Sequence, residues 1–285
     1  AGNTTSYLYD AIGRIAEIDY PTGDSVAWAK QTFTYSFETW VSHGIAANHW
    51  LRGVTQGPKV TYTYFDAMMR PIEVLTRRSS DGGTPKTSRA DYDFHGNKTF
   101  QSYLTEGDQA LSALTNGVTT NYDALSRVVS TVQPSELGNL TTTTNYLSGA
   151  RKQVIDPKGN STITSYQVFD EPSYDNVIQV SAPEGVTQTI TRDLYGNPLA
   201  ISQGGITKAM VYDSYHRLCR TTEPESGSEV MAYDAANNLA WSASGQAITG
   251  TDCGQSQVAT AAQTVRGYDA MNRVTSITYP AGTAA

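Results

Sequence analysis

The sequence predicts an all-β protein built as an array of consecutive antiparallel hairpins, and three observations predict it. A Tyr-Asp pair returns along the 285 residues with one tail, Tyr-Asp-x-x-(Gly/Asn)-(Arg/Asn), and internal repetition of this kind defines an architecture. Short stretches of alternating apolar and polar residues follow the pair, the pattern of a half-buried strand. The composition is turn-rich: 16% charged residues, 18 Tyr against six Phe, abundant Thr, Ser, Gly and Asn, and no long run of strong helix formers.

Counted by the Asp position, the repeats stand at Asp10, Asp66, Asp93, Asp123, Leu147, Asp170, Asp193, Asp213, Asp234 and Asp269, so nine of ten keep the carboxylate. The preceding residue is Tyr9, Tyr92, Tyr122, Tyr146, Tyr212, Tyr233 or Tyr268, with Phe65, Phe169 and Arg192 in the other three. Four places after the Asp stands Arg14, Arg70, Arg127, Arg151, Arg217 or Arg273, or else Asn97, Asn197 or Asn238. These positions are the candidate site residues, and the role expected of them is to build turns.

Each part of the repeat has a mechanical reason. An Asp side chain accepts from a backbone N–H two residues on, and the position three after it is Gly13, Gly96, Gly196, Asn237 or Asn272, which tolerate a left-handed backbone. That is a tight turn. The strands that follow, Arg14 to Tyr20 in the first repeat and Arg273 to Tyr279 in the last, close with Pro21-Thr22-Gly23 and Pro280-Ala281-Gly282. Related turns recur at Asp156-Pro157-Lys158-Gly159-Asn160, Pro183-Glu184-Gly185 and Pro224 to Gly227. One repeat is therefore strand, Asp turn, strand, Pro-Gly turn.

The steps from Asp123 to Asp234 are 24, 23, 23, 20 and 21 residues, which is the compact repeat. The step from Asp10 to Asp66 is 56, about two repeats, so a worn-down copy is expected at Phe37-Glu38 inside an irregular insert of about 24–60. The step from Asp234 to Asp269 is 35, and its extra length falls in a Gly-, Ser-, Gln- and Ala-rich stretch, about 242–264, expected to be the most mobile loop. The segment Glu106 to Leu114 reads as one or two helical turns or as a loop. The whole chain, 1–285, is read as a single array.

Tyr-Asp units joined by Pro-x-Gly or Asp-Pro-x-Gly-Asn turns resemble the YD repeats of Rhs proteins, of the C subunits of insecticidal toxin complexes, of wall-associated proteins and of teneurins. The resemblance covers nearly the whole chain. It implies a long antiparallel sheet that spirals into a hollow shell, which in the bacterial toxins encloses a C-terminal cytotoxic segment. Toxin members end their repeats at a self-cleaving Asp-Pro-x-Gly-Leu junction; here Asp156-Pro157-Lys158-Gly159-Asn160 ends in Asn, has repeats on both sides, and reads as an ordinary turn. The sequence stops at Ala285, soon after a repeat strand, and is expected to be a piece of a longer protein, secreted from or displayed on a bacterial cell by a signal not in this chain.

Net charge is −7, and the 20 basic residues are scattered about one per repeat, which disfavours nucleic acid as a partner. No stretch approaches 18 apolar residues, so no membrane-spanning helix is expected. Cys219 and Cys253 lack zinc spacing; a disulfide between them is one reading, and the plainer one is a small buried residue on a strand plus a loop thiol.

Catalytic motifs are not found, and no catalytic residue, metal ligand or cofactor is assigned. His43 and His49 lie near Trp40 and Trp50 and read as an aromatic packing insert. The Asp residues come one per repeat without the convergence that calcium requires. Two function classes remain. The first is a structural segment of a toxin-enclosing shell, partnered by flanking repeats and an enclosed polypeptide. The second is an extracellular adhesive module whose Tyr and Trp, beside Asn and Asp, contact carbohydrate.

Overall fold

The computed structural model describes residues 4–21, 28–79, 83–169 and 173–280, and the chain divides into two compact bodies, Ala1–Thr144 and Asn145–Ala285. Among the described residues there are 23 strands, three single turns of 3-10 helix and no α-helix. The fold is all-β and antiparallel, as the repeat predicts.

In the first body the strands pair in chain order. Ser6–Tyr9 pairs with Ile15–Asp19, then follow Gln31–Glu38, His49–Gln56, Lys59–Phe65, Pro71–Arg78 and Lys86–Tyr92. Lys86–Tyr92 takes Lys98–Ser102 along one end and the short Thr105–Glu106 along the other. The order resumes through Gly117–Tyr122 and Val128–Ser135 to Gly138–Leu147. The second body repeats the scheme from Arg151–Ile155 and Ser161–Tyr166 to Thr264–Tyr268 and Val274–Thr278. Since each repeat spends two strands, all Tyr-Asp turns of a body fall on one rim of its sheet.

The alternation that predicts the strands appears as alternating exposure, most regularly along Thr187–Arg192. A single sheet layer buries a face only where something lies on it. In the first body two loops do this: residues 39–48 and 107–116 meet where the Leu111 N–H donates to the His43 carbonyl at 2.9 Å. Ile45 and Leu114 are buried there, as are Tyr64 and Leu75. The stretch 107–116 contains one 3-10 turn, Leu111–Ala113.

Several expectations change. The insert of about 24–60 is not irregular where it is described: Gln31–Glu38 and His49–Gln56 pair along eight residues each, and only 22–27 lies outside the described residues. Its connection is a ten-residue loop, 39–48, because Glu38 and His49 stand opposite each other and the chain between them has no Asp turn. The stretch of about 242–264 is not a free loop either. Ser242 to Gln246 extend the strand Leu239–Gln246, and residues 247–263 fold onto the second body through two 3-10 turns. Val258 closes a core with Val230 and Ala243, against which Trp241, Ile248 and Ala262 pack.

The cysteines resolve the same way. Cys219, wholly buried on Leu218–Glu223, is disulfide-bonded to Cys253 of the folded loop, with Cα atoms 5.3 Å apart. The reading of a separate loop thiol is therefore overturned, because the insert folds back and brings Cys253 over the strand.

Candidate functional site

The recurring site is the Asp turn. In the first repeat Asp10 Oδ1 accepts from the N–H of Ile12 (3.0 Å) and of Arg14 (2.9 Å), and Oδ2 accepts from Arg14 Nε at 2.7 Å. The same three bonds form at Asp66, Asp123, Asp213 and Asp269 with Arg70, Arg127, Arg217 and Arg273. At Asp93, Asp193 and Asp234 the amides of Asn97, Asn197 and Asn238 replace the guanidinium. An Arg Nε–H and an Asn Nδ2–H thus serve as equivalent donors. The residue three after the Asp is left-handed in each, with φ from 58° at Asn272 to 89° at Gly96, and a bulge precedes most of the turns.

These bonds hold the carboxylates in their charged form. The side-chain donors of Arg14, Arg127, Asn160 and Asn238, followed by backbone N–H groups, keep Asp10, Asp123, Asp156 and Asp234 below the usual carboxylate range. Both oxygens of each carboxylate are engaged in the turn.

The tyrosines link one repeat to the one before it. The hydroxyl of Tyr92 donates to the Pro71 carbonyl at 3.0 Å, Tyr122 to Lys98 at 2.9 Å, Tyr212 to Pro198 at 3.0 Å, Tyr233 to Leu218 at 2.9 Å and Tyr268 to Leu239 at 3.1 Å. Each acceptor is the residue just after the preceding turn. The guanidinium of that turn lies over the tyrosine ring, 4.9 Å for Arg70 on Tyr92 and 4.8 Å for Arg217 on Tyr233. Turns also touch sideways: Arg70 Nη1 donates to the Asp93 carbonyl, Asn97 Nδ2 to Ser126 Oγ, and Asn238 Nδ2 to Asn272 Oδ1. Tyr9 begins the series and is exposed.

One member of the series carries a weaker sequence signal. Tyr35 serves the worn-down copy rather than Phe37: its hydroxyl donates to the Ile15 carbonyl at 3.3 Å and Arg14 lies 4.1 Å over its ring. The Asp156 turn, read as an ordinary turn, makes the same three bonds with Lys158 and Asn160, but it joins Arg151–Ile155 to Ser161–Tyr166 and so lies on the rim opposite the Tyr-Asp turns of its body, outside the series. Arg192, in a tyrosine position, donates from Nε to the Val177 carbonyl at 2.7 Å and so does the tyrosine's work. The turn at Leu147 lacks a carboxylate, and Asp170 lies outside the described residues.

The tips of the turns face outward. Ile12, Met68, Leu125, Tyr195, Tyr215 and Met271 all occupy the second place after the Asp and are exposed, as are the neighbouring Phe94 and Leu194. The turn uses the backbone of that place and not its side chain, although Tyr215 lies under the Arg217 guanidinium and Tyr195 packs on His216. His43 belongs instead to the loop over the first body's sheet, and His49 opens the strand His49–Gln56 beside it. His49 is buried with Nε2 3.1 Å from Ser42 Oγ and Nδ1 2.8 Å from the Ala46 carbonyl. No group of three or more His, Cys, Asp or Glu among the described residues is arranged to hold a metal ion. No described helix is long and apolar enough to cross a membrane.

No family model matches the sequence, and no curated protein matches it. Among solved structures the chain is similar to a Photorhabdus luminescens Tc holotoxin pore carrying a TccC3 variant, at 11% identity over 99% of this chain and 18% of that one, with a TM-score of 0.30. It is similar to a TcdB2-TccC3-Cdc42 structure at 12% identity over 95% of this chain and 19% of that one, TM-score 0.24. A porin-like protein from Bacteroides uniformis aligns at 12% identity over 76% of this chain and 86% of that one, TM-score 0.21. The chain thus spans about a fifth of the length of the two toxin chains, and the repeat ladder alone carries the functional reading.

Proposed function

We propose that the chain is a structural segment of a toxin-enclosing shell of the Rhs or toxin-complex kind, exported from a bacterial cell and without catalysis of its own. The observation that carries this is the backward tie of six tyrosines, Tyr35, Tyr92, Tyr122, Tyr212, Tyr233 and Tyr268, to the turn before each. It makes an array that extends by adding copies, with the polar groups of the repeat spent on the array itself. The partners in this reading are flanking repeats of the same parent protein and an enclosed polypeptide.

Two further features support a larger assembly. The end strands Ser6–Tyr9 and Val274–Thr278 are exposed at every residue, and bare strand edges are rarely left unprotected. The apolar turn tips form exposed rows of the kind that mark contact surfaces. The Cys219–Cys253 disulfide supports an oxidising destination.

The test is light scattering of the isolated chain, with protease protection of a guest fused to the parent protein. The chain alone is expected to self-associate and to leave a co-expressed guest open to protease, whereas the parent shields its guest. A closed monomer that shields a guest by itself would overturn the reading. Exposed rings at Phe94, Tyr195 and Tyr215, 82%, 75% and 77% accessible, favour carbohydrate contact as a second reading. Glycan binding abolished by Tyr195→Ala and Tyr215→Ala, with no guest protection by the parent, would establish it instead.

A further inference from the structure

Glu73 stands in the middle of the strand Pro71–Arg78, 1% exposed, on the face that the loops 39–48 and 107–116 cover. Its cross-strand neighbours are Tyr64 on one side and Arg89 on the other. Neither neutralises it. Tyr64 is itself buried and uncharged, its ring 4.8 Å from that of His43. Arg89 is held elsewhere, by Asp91 through Nε (2.7 Å) and Nη2 (2.6 Å) and by the Leu111 carbonyl through Nη1 (3.1 Å).

What faces Glu73 comes from the two loops. His43 Nδ1 lies 3.3 Å from Glu73 Oε1 and 3.0 Å from Asp108 Oδ1. One nitrogen stands between two carboxyl groups, and it carries at most one proton. The 3.3 Å approach is an ion-pair distance without hydrogen-bond geometry, and both Glu73 oxygens lack a hydrogen-bond partner among the described residues. Among the described residues, Glu38 accepts from Ser36 Oγ, and the His49 nitrogens are turned to Ser42 and Ala46 rather than to Glu73.

A buried carboxylate with no donor is costly, and the group avoids the cost by keeping its proton. We propose that Glu73, with His43 and Asp108, is a proton-operated latch: it holds the loops 39–48 and 107–116 closed over the sheet while protonated and releases them when the proton leaves. Burial, and then the Asp108 charge, push the Glu73 carboxyl from 4.5 up to about 8. A folded-state value raised in this way gives closure that is complete below about 4.5 and is lost as pH rises through about 8. The loops are held most firmly in acid, and their closure weakens progressively as pH rises from about 4.5 toward about 8. Opening uncovers Ile45, Leu114 and Leu75, an apolar patch that the closed state hides.

Hydrogen exchange of the full chain tests the latch, read at the Leu111 amide, which bonds to His43, and at the Ile45 amide, which bonds to Ser42. Protection relative to the intrinsic exchange rate should fall at least about tenfold between about pH 5 and about pH 9, while strand amides of the second body hold theirs. Glu73→Gln should abolish that fall. Flat protection in the wild type, or the same fall in Glu73→Gln, would overturn the proposal. Should Glu73→Gln fail to fold, the exposed Asp108→Asn serves: with the like charge removed, the Glu73 value moves back toward 4.5, and the fall in protection must shrink and level off at lower pH. A fall as large as the wild type's would overturn the latch equally.

Discussion

The hydroxyl of Tyr92 donates across one hairpin to the main-chain carbonyl of Pro71, 3.0 Å away, and this is the joint between two repeats. Pro71 follows Arg70, whose guanidinium both closes its own Asp66 turn and lies over the Tyr92 ring. Turn and joint therefore share a side chain. That explains why Tyr, Asp and Arg recur together although each bond could form alone.

Removing only the hydroxyl should loosen a joint and leave its turn intact. Tyr233→Phe, which deletes the bond to the Leu218 carbonyl, is expected to cost about 1 kcal/mol in urea unfolding. Tyr9→Phe, at an exposed ring that begins the series, should cost far less. Equal losses in the two variants would contradict the joint.

The Asp turns set the acid limit of the fold. Their carboxyls are held below 3.8, so the stability they contribute is fully present above that value and is lost as pH falls through the lower folded-state values. Melting temperature should drop as pH is lowered below about 4, opposite in direction to the Glu73 latch. Asp66→Ala, which removes two backbone bonds and one Arg bond, should cost on the order of 1 to 2 kcal/mol at neutral pH and flatten part of that acid slope.

Reduction should act locally. Cys219 and Cys253 close a span of 34 residues, and Cys253→Ser is expected to cost about 3 kcal/mol. Protease should then cut within residues 247–263 as Val258 leaves its place against Val230, with no change in the first body. Mass spectrometry of the fragments with and without reductant checks this; cuts spread evenly along the chain would contradict it.

The turns were legible because they are local. An Asp needs N–H groups two and four residues on, a left-handed residue at three and a side-chain donor at four, and all of that is written within five positions. Asp156 satisfied every one of those demands, on the rim opposite the Tyr-Asp turns. Tyr35 was hidden because its loop departs from the turn spacing, although its bond to Ile15 is the usual joint. The disulfide was ambiguous because the path of 247–263 is decided by packing on Val230 and Ala243. Glu73 gave no signal at all: alternation put it with Leu75 on one face, and nothing in the strand itself says that two distant loops cover that face.

Every tyrosine joint points backward, from a later residue to a carbonyl already laid down: Tyr122 to Lys98, Tyr212 to Pro198, Tyr268 to Leu239. A chain wired like this has a polarity in time as well as in space. Each repeat leaving the ribosome finds its acceptor waiting, so the sheet can set in order of emergence, as a zip closes from one end, and a stall midway leaves a shorter finished sheet behind a loose tail.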